Sequence, residues 1–281
     1  MTNMSQLPFR FTAKEIIEQG RTTQENLDII KTWLSDLPDH SIPAVQDEMI
    51  VIFLISCDND IKLTQHTITM YYKCKKDAPE LFNERDFERE DIAKALNTVT
   101  VSNMPVRTEE NYAIHYLNIK DPSYRAFDLG PIMKLCYMLV DLSINSSNVP
   151  NGLVIVFDMN GIGLMHLTRL KLDIIRKYFE FLQEALPIQL KGIHIINTVY
   201  FFDKIMCIIK VFMKKELIEM LQLHPPDLAQ EELFSLMPKN CWPEDYGGDL
   251  PSCSELHENT LKEFAEEREF WRIEQEIRSR F

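Results

Sequence analysis

The chain has 281 residues, of which 45% are hydrophobic and 26% are charged, with 8 Gly and 14 Pro. This composition is that of a folded globular protein, long enough for about two domains, and it excludes collagen-like, low-complexity and largely disordered chains. The formal net charge of −13 repels a phosphate backbone, so we expect no nucleic acid partner.

The longest stretch without a charged side chain, residues 142–157, contains three Asn, three Ser, a Pro and a Gly, so it is not expected to cross a membrane as a helix. The N-terminal residues lack the charged start and the unbroken apolar run of a secretory signal, which predicts a cytoplasmic location. The six Cys and seven His residues are scattered along the chain, so we expect reduced cysteines and no metal site.

Residues 1–92 are predicted to form a helical N-terminal domain. Thr22 and Glu25 have capping-box spacing at the start of a helix that ends before Pro38. The apolar stretch 49–55 is compatible with a strand or a buried helix, and its helical neighbours favour a helix. A third helix, from residue 64 to about residue 76, completes a small bundle.

Residues 93–253 are predicted to form an α/β domain. Alternating residues over 112–119 indicate a strand, and Asp128 with Pro131 marks the start of a helix with an apolar body to residue 142. A strand, a helix and a second strand are predicted after this helix, and that order is typical of an α/β unit.

The middle of this α/β region carries the clearest strand signal. The run 153–157 is short and rich in β-branched residues, as is typical of a central parallel strand covered on both faces. Thr168 is a candidate cap for a helix that ends before Pro187, and a second strand is predicted at 193–196.

Two further helices are predicted after these strands. Residues 254–281 form a C-terminal helical tail in which Leu261, Phe264 and Trp271 are expected to dock while the other face stays solvated. Residues 203–223 form a helix with a broad apolar stripe flanked by lysines.

Basic side chains concentrate between residues 169 and 215, where nine Lys or Arg stand against four Asp or Glu, giving a local net charge of +5 and leaving −18 elsewhere. One interpretation is a face that docks on an anionic membrane, where each basic side chain contributes roughly 1 kcal/mol. The other is a solvated surface paired with the acidic remainder of the chain. The chain also contains 13 Met and 16 Phe. These side chains are compatible with an adaptable apolar binding pocket or with ordinary packing of the core.

The motifs of the common enzyme classes are absent from the sequence: no Gly-x-Ser-x-Gly elbow, phosphate-binding loop, His-Glu-x-x-His pair or three-glycine dinucleotide fingerprint occurs. Asp158 at a strand end and His194 within a strand are candidate acid and base groups. A single His in an apolar strand is more often a hydrogen-bonded core residue, so we predict no catalytic residue and no enzyme.

Four motifs carry a family resemblance through their order and spacing. They are Pro-Glu-Leu-Phe at 79–82, Gly-Leu-Val-Ile-Val-Phe-Asp at 152–158, the stretch 187–197 with its Lys-Gly-Ile-His-Ile-Ile-Asn, and Trp-Pro-Glu-Asp-Tyr-Gly-Gly at 242–248. Together they resemble the CRAL-TRIO lipid-transfer family, in particular its tocopherol and retinaldehyde carriers, over roughly residues 25–252.

The resemblance implies a mixed sheet that floors a deep apolar cavity, a mobile helical gate over it, and a three-helix domain in front. It implies no catalysis and no cofactor, with one small hydrophobic lipid as cargo: a retinoid, tocopherol, carotenoid or other isoprenoid. Carried over to this chain, the cavity-lining residues are Ile132, Leu135, Leu139, Leu153, Ile155, Phe157, Phe181, Leu182, Leu186, Ile188, Leu190 and Ile193. The gate, at about 199–221, presents Phe201, Phe202, Ile205, Ile208, Ile209, Phe212 and Met213.

Membrane contact is implied by the same resemblance. The expected partner is an anionic membrane surface, with a phosphoinositide as an open alternative, contacted through Lys191, Lys210, Lys214 and Lys215. Gln189, Glu216 and Met220 stand where the tocopherol carrier has basic residues, which argues against phosphoinositide exchange. Leu135 and Leu139 replace serines of that carrier, which favours a more apolar ligand.

We therefore expect a monomeric cytoplasmic carrier that exchanges a lipid at membranes and associates with them transiently. The alternative is a lipid-regulated module that binds membrane or protein without transferring lipid. An enzyme acting on the bound lipid is the least favoured hypothesis, because no nucleophile with a neighbouring base is identified.

Overall fold

The computed structural model describes residues 6–38 and 41–280. The N-terminal region is helical, and it contains α1 (Ala13–Glu18), α2 (Gln24–Ser35), α3 (Asp47–Ser56), α4 (Ile61–Asp77), α5 (Pro79–Phe82) and α6 (Glu90–Thr98). The three predicted helices correspond to α2, α3 and α4. The ambiguous apolar stretch is therefore a helix, α3, and six of its ten residues are buried.

The start of α2 differs from the sequence expectation. Its cap is Thr23, whose side chain accepts a hydrogen bond from the Asn26 backbone, and not Thr22, whose hydroxyl is buried without a partner among the described residues. The helix α6 contains residue 92, the predicted end of the N-terminal domain, and leads directly into the first strand.

A mixed five-stranded sheet forms the centre of the molecule. Its order is β1 (Val99–Asn103), β2 (Tyr112–Ile119), β3 (Gly152–Asp158), β4 (Leu190–Ile196) and β5 (Leu221–Leu223). The strand β1 is antiparallel to β2, and the other neighbours are parallel. The helices α7 (Leu129–Ile144) and α8 (Leu172–Glu184) connect the parallel strands. This is the α/β architecture with a mixed sheet that the sequence predicts.

The start of α8 is a correction to the sequence reading. Thr168 lies inside a 3₁₀ turn, Leu164–Arg169, where its hydroxyl donates to the Met165 carbonyl. The α-helix begins later, at Leu172. The turn diverts the chain across the end of the sheet before the helix starts.

The predicted single helix over residues 203–223 is broken into three pieces. They are α9 (Phe202–Ile209) with a 3₁₀ turn at Lys210–Phe212, α10 (Lys215–Glu219) and the strand β5. Met213 and Lys214 have extended backbones. Across this break the Gln183 side chain donates to the Phe212 carbonyl and accepts from the Lys214 amide, so it replaces helical hydrogen bonds that are lost.

The motif at residues 242–248 packs on the sheet face opposite α7 and α8. Gly247 has a φ of 76°, and a Cβ on Gly248 would overlap the Trp242 carbonyl, so both positions require glycine. The Tyr246 hydroxyl donates to the Asp158 carboxylate at the end of β3. The motif therefore stabilises the central strand through this packing and hydrogen bond.

The last part of the chain contains α11 (Gln230–Leu236), α12 (Cys253–Glu266) and α13 (Arg268–Arg278). The predicted tail is thus two helices. The Thr260 hydroxyl of α12 accepts from the Asn103 amide at 3.0 Å, and His257 contacts the backbone of Val101. These contacts cover the free edge of β1, which would otherwise expose unpaired backbone groups.

A buried cluster of charges joins α13 to the rest of the molecule. Glu274 pairs with Lys75 of α4 at 3.1 Å and with Arg85, and Arg85 also pairs with Asp141 of α7. Asp141 accepts from the Trp271 indole at 3.0 Å. The cluster therefore connects the N-terminal helices, the α/β region and the C-terminal helix.

The charge of Glu274 is maintained by these partners. Burial alone raises the pKa of this carboxyl, but the positive charges of Lys75, Arg85 and Arg278 together outweigh it and hold the pKa well below its ordinary value. Removing the carboxylate leaves the buried Lys75 without its ion-pair partner, while Arg85 keeps Asp141, and the penalty for such an uncompensated buried charge is large.

We expect Glu274→Gln to lower the free energy of unfolding by about 3–5 kcal/mol, the typical penalty for breaking a buried ion pair. Urea unfolding followed by circular dichroism measures it. Glu276→Gln is the matched control on the same helix, because Glu276 pairs with Arg272 and Arg280 at the surface, where a change of less than about 1 kcal/mol is expected. Equal losses in both variants would contradict the role of the cluster.

Acid sensitivity is expected from a histidine pair at the junction of β4 and β5. The Nδ1 of His194 lies 3.2 Å from the Nε2 of His224. Burial, and then the neighbouring ring, lower the pKa of His194 to about 4, whereas an unfolded histidine titrates near about 6.5. The folded state therefore binds fewer protons, and this contribution to stability is lost as the pH falls from about 6.5 to about 4.

The corresponding variant is His194→Gln, in which this titration is absent. We expect its free energy of unfolding to decrease less steeply than that of the wild type between pH 6.5 and pH 4. Denaturant unfolding at several pH values measures both curves. Parallel curves for the two proteins would show that His194 does not contribute.

Candidate functional site

A cavity of about 250 Å³ lies between the sheet and the segment that follows β4. Its floor is built from strand residues that are paired in register on one face. Leu117 of β2 is beside Phe157 of β3, and Ile155 of β3 is beside Ile193 of β4. Because side chains alternate between the faces of a strand, the same parity along each strand places these residues on the cavity side.

Two helices form the walls of the cavity. The contributing residues share one face of each helix, since they are spaced by three, one and three positions. From α7 they are Leu129, Ile132, Met133 and Cys136, and from α8 they are Ile175, Tyr178, Phe179 and Leu182.

The segment from 199 to 221, here called the gate, covers the cavity. Phe202, Ile205, Ile209 and Met213 line it from this side at spacings of three and four residues, as one apolar face of a helix does. On the outer side of the gate, Tyr200 is 88% exposed and Val211 is 71% exposed. The gate therefore presents apolar side chains both to the cavity and to solvent.

Part of the predicted site coincides with this cavity. The predicted residues that line it are Ile132, Ile155, Phe157, Leu182 and Ile193, with Phe202, Ile205, Ile209 and Met213 from the gate. They come from five elements that are distant in the sequence, and the parallel sheet with its helical connections brings them together.

Other predicted residues lie outside the cavity. Those not among its lining residues are Leu135, Leu139, Leu153, Phe181, Leu186, Ile188 and Leu190, and on the gate Phe201, Ile208 and Phe212. Leu135 and Leu139 are fully buried on another face of α7. Leu153 pairs with Leu190 at the opposite end of their strands. Phe181 contacts Phe82 with ring centres 4.6 Å apart. Most of these side chains fill the protein core, whereas Leu190, Ile208 and Phe212 are half-buried and pack against it.

The largest omission from the sequence prediction is the segment after β3. Met159, Ile162, His166, Leu167 and Leu170 all line the cavity, together with Phe127 and the β2 residues Leu117 and Ile119. The strand alternation predicted for residues 112–119 could have indicated that these β2 residues share one face of the sheet. The loop residues have no periodic signal, because an irregular segment closes this end of the cavity.

The predicted basic residues lie in different surroundings. Lys214 pairs with Glu184 of α8, and Lys215 pairs with Glu219 one turn along its own helix at 3.4 Å. The ammonium of Lys191 lies 5.4 Å from the centre of the Tyr112 ring. Lys210 begins the 3₁₀ turn of the gate. Three of the four thus belong to the gate, and Lys191 is on β4.

Neither acid-base candidate faces the cavity. Asp158 accepts hydrogen bonds from the Asn160 amide at 2.7 Å and from the Asn197 side chain at 2.8 Å, besides the Tyr246 hydroxyl. His194 follows Ile193 on β4, so its side chain points to the opposite face of the sheet, where it contacts His224. Both side chains have structural partners on the far side of the sheet.

The cavity is uncharged, since no Lys, Arg, Asp or Glu is among its lining residues in the described part of the chain. Burial raises the pKa of the Cys136 thiol to about 12 and also raises that of Tyr178, so both stay protonated at neutral pH. Across residues 6–38 and 41–280, no group of three or more His, Cys, Asp or Glu side chains is arranged to hold a metal ion. The cavity is thus suited to sheltering an apolar molecule.

Within the same ranges, no helix is both long and apolar enough to cross a membrane.

Comparisons with known proteins agree with this architecture. Residues 100–248 match the family model described as "CRAL/TRIO domain", and residues 19–92 match one described as "Pinta-like, UBA domain". A solved structure titled "Crystal structure of Sfh5" has a TM-score of 0.54 at 12% identity and covers 91% of this chain and 97% of its own. It shares the fold.

Two groups of named relatives were found by sequence. A Mus musculus protein named "Alpha-tocopherol transfer protein-like" is 27% identical over 209 residues, which are 73% of this chain and 59% of that protein. "Clavesin-1" of Xenopus laevis is 21% identical over 246 residues, 84% of this chain and 74% of the relative. The chain thus spans about three fifths of the length of the first of these.

The domain match includes three of the four motifs on which the resemblance was based, and the resemblance is confirmed. Since the matched model covers more than half of the residues, the chain belongs to the CRAL/TRIO family.

Proposed function

We propose that this protein is a non-enzymatic carrier that binds one small hydrophobic lipid in the cavity and exchanges it at membranes. The observation that carries the proposal is the uncharged apolar cavity beneath a discontinuous helical gate. The similarity to a relative named for tocopherol transfer supports a retinoid, tocopherol, carotenoid or other isoprenoid as the cargo. We place the carrier in the cytoplasm, with transient contact to membranes.

The energetics of burial are sufficient for this role. A lipid that buries about 500 Å² of apolar surface gains on the order of 12 kcal/mol before the costs of association. The cavity of about 250 Å³ is slightly smaller than the range of about 300–1,000 Å³ that is usual for ligand pockets. A ligand whose volume exceeds that of the cavity therefore fits only if the side chains of the gate move outward.

The gate supplies a route for release. Its inner face can bury its apolar surface against the ligand, or against the membrane after opening, so membrane contact favours the open state without chemistry. The extended residues Met213 and Lys214, held by Gln183, divide the gate into two rigid pieces. This break is the natural position for a hinge.

The first experiment is solvent extraction of the natively purified protein followed by mass spectrometry, after incubation with a tissue lipid extract. One enriched lipid at about one molecule per chain supports the carrier. A chain that holds no lipid and still binds vesicles supports instead a membrane-interaction module without transfer activity.

Phe157→Asp is expected to abolish lipid binding, because it places a desolvated carboxylate on the cavity floor, and no Lys or Arg of the described residues lines the cavity to pair with it. Lipid per chain after extraction measures the effect, and circular dichroism checks the fold. Leu223→Asp is the control, since Leu223 is exposed on β5 and its replacement should leave binding unchanged. Stoichiometric lipid in a folded Phe157→Asp variant would show that the ligand lies elsewhere.

The double variant Lys210→Glu with Lys215→Glu is expected to slow lipid transfer to anionic vesicles by about tenfold or more at low salt, since each basic side chain contributes about 1 kcal/mol at such a surface. Lys214 is left intact because it pairs with Glu184. A fluorescence transfer assay gives the rate, and equilibrium binding should change little.

The control for this experiment is the double variant Lys14→Glu with Lys94→Glu. Each of these lysines forms an ion pair one helical turn along its own helix, as Lys215 does, but on α1 and α6. The two double variants have the same net charge. Equal transfer rates for both would rule out a specific role of the gate lysines, and 1 M salt should reduce the difference between them.

A further inference from the structure

A buried histidine lines one end of the otherwise apolar cavity. His166 lies in the 3₁₀ turn after β3, is 4% exposed and borders the cavity. Its ring packs edge-on against Phe127, with ring centres 5.3 Å apart. This end of the cavity is therefore the carboxyl end of the parallel strands, where the loop after β3 closes it.

The hydrogen bonds of the turn indicate which ring nitrogen carries the proton. The Gly163 amide donates to Nδ1 of His166 at 3.0 Å. The Gly163 carbonyl lies 3.1 Å from the same nitrogen, but it already accepts from the His166 amide at 2.9 Å, so we assign Nδ1 as the acceptor for the Gly163 amide. With Nδ1 as the acceptor, the neutral ring carries its proton on Nε2.

This Nε2–H group has no partner in the described structure. The Nε2 atom is buried and makes no hydrogen bond within residues 6–38 and 41–280. A buried donor without an acceptor is costly and is uncommon in native proteins. An acceptor supplied by a bound molecule would remove that cost.

The other polar residues at the cavity do not offer a comparable group. The Tyr178 hydroxyl and the Cys136 thiol are hydrogen-bonded to each other. Asn118 also borders the cavity, and its Oδ1 is buried without a partner among the described residues, but this oxygen is an acceptor and not a donor. Its parity is opposite to that of Leu117, so strand alternation directs the side chain to the far face of the sheet. The donor that faces the cavity is therefore His166.

We propose that His166 is a ligand-recognition residue, whose Nε2–H donates to the oxygen of a neutral polar group at one end of the cargo. This inference rests on the proposed carrier function. A hydroxyl or carbonyl oxygen meets the requirement. A carboxylate or phosphate does not, because no Lys or Arg among the described residues lines the cavity and an unpaired buried anion is strongly disfavoured. The ligand class is thus a lipid alcohol, aldehyde or ketone.

The test uses three probes of equal chain length: 1-dodecanol, dodecane and dodecanoate. Their affinities are measured by competition against a fluorescent lipid that the wild-type protein binds. The dodecanol-to-dodecane affinity ratio is compared between proteins, so that differences in water solubility cancel. Dodecanoate should bind more weakly than dodecanol to the wild type.

Two variants separate ligand recognition from support of the turn. His166→Asn retains an acceptor near the position of Nδ1, for the Gly163 amide, and removes the distant donor. His166→Gln retains an N–H donor near the position of Nε2. We expect the dodecanol-to-dodecane ratio to fall about tenfold in His166→Asn, the value of one buried hydrogen bond, and to recover in His166→Gln.

A purely structural role predicts the reverse order, with Asn as the better replacement. An unchanged ratio in both variants, or a ratio retained in Asn and lost in Gln, would overturn the assignment of His166 while leaving the cavity as the lipid site. Failure of the wild type to bind the fluorescent lipid or any of the three probes would instead count against the carrier function itself.

Discussion

The alternation of side chains along β3 is the constraint on which the rest of the structure depends. Ile155 and Phe157 point to one face and form the cavity floor, while Val156 and Asp158 point to the other. Because β3 is the middle strand of five and has parallel neighbours on both sides, its two faces must both be covered. A shift of one residue in register would exchange the cavity floor with the structural face.

The two faces are covered in different ways. On the Asp158 side, the strand is fixed by Tyr116, Tyr246 and Trp242 through hydrogen bonds and close packing. On the Phe157 side, α7 and α8 stand apart enough to leave a space that the gate closes. An empty cavity lowers the free energy of unfolding. The close packing and hydrogen bonds on the Asp158 side therefore offset the cost of the cavity on the opposite face.

The buried charges around Glu274 complement this arrangement. They lie among α4, α7 and α13, whereas the gate is attached to the edge of the sheet through β5. The strongest electrostatic links thus fasten the parts of the molecule that hold the walls in place. The gate is held by apolar contacts, by the Gln183 side chain and by the ion pair of Lys214 with Glu184, which is partly exposed. We infer that opening the gate leaves the charge cluster intact.

Local sequence signals were sufficient for most of the long helices and for the central strands. The β-branched run of β3, the amphipathic face of α8 and the glycines at 247 and 248 each impose their structure through short-range sterics or burial. Nine of the predicted cavity and gate residues line the cavity, and for all of them except Met213, which lies in the extended break, the spacing along a helix or strand fixes the face. The role of these residues in binding lipid and the domain limits at 92 and 253 stay predictions.

The tertiary structure alone decided the remaining features. Three features depend on partners in other elements of the structure. They are the break at Met213, the pairing of β1 with β2 and of β5 with β4, and the charge cluster of Lys75, Arg85, Asp141 and Glu274. The unpartnered Nε2 of His166 is recognisable only once the irregular loop after β3 is seen against the cavity. The sequence by itself determined the helices α2, α3, α4 and α7 and the buried strands β3 and β4, because these depend on local periodicity, and its ordered motifs indicated the family. Which side chains enclose the cavity and which only fill the core was decided by three-dimensional packing, since residues of the same apolar type serve both purposes.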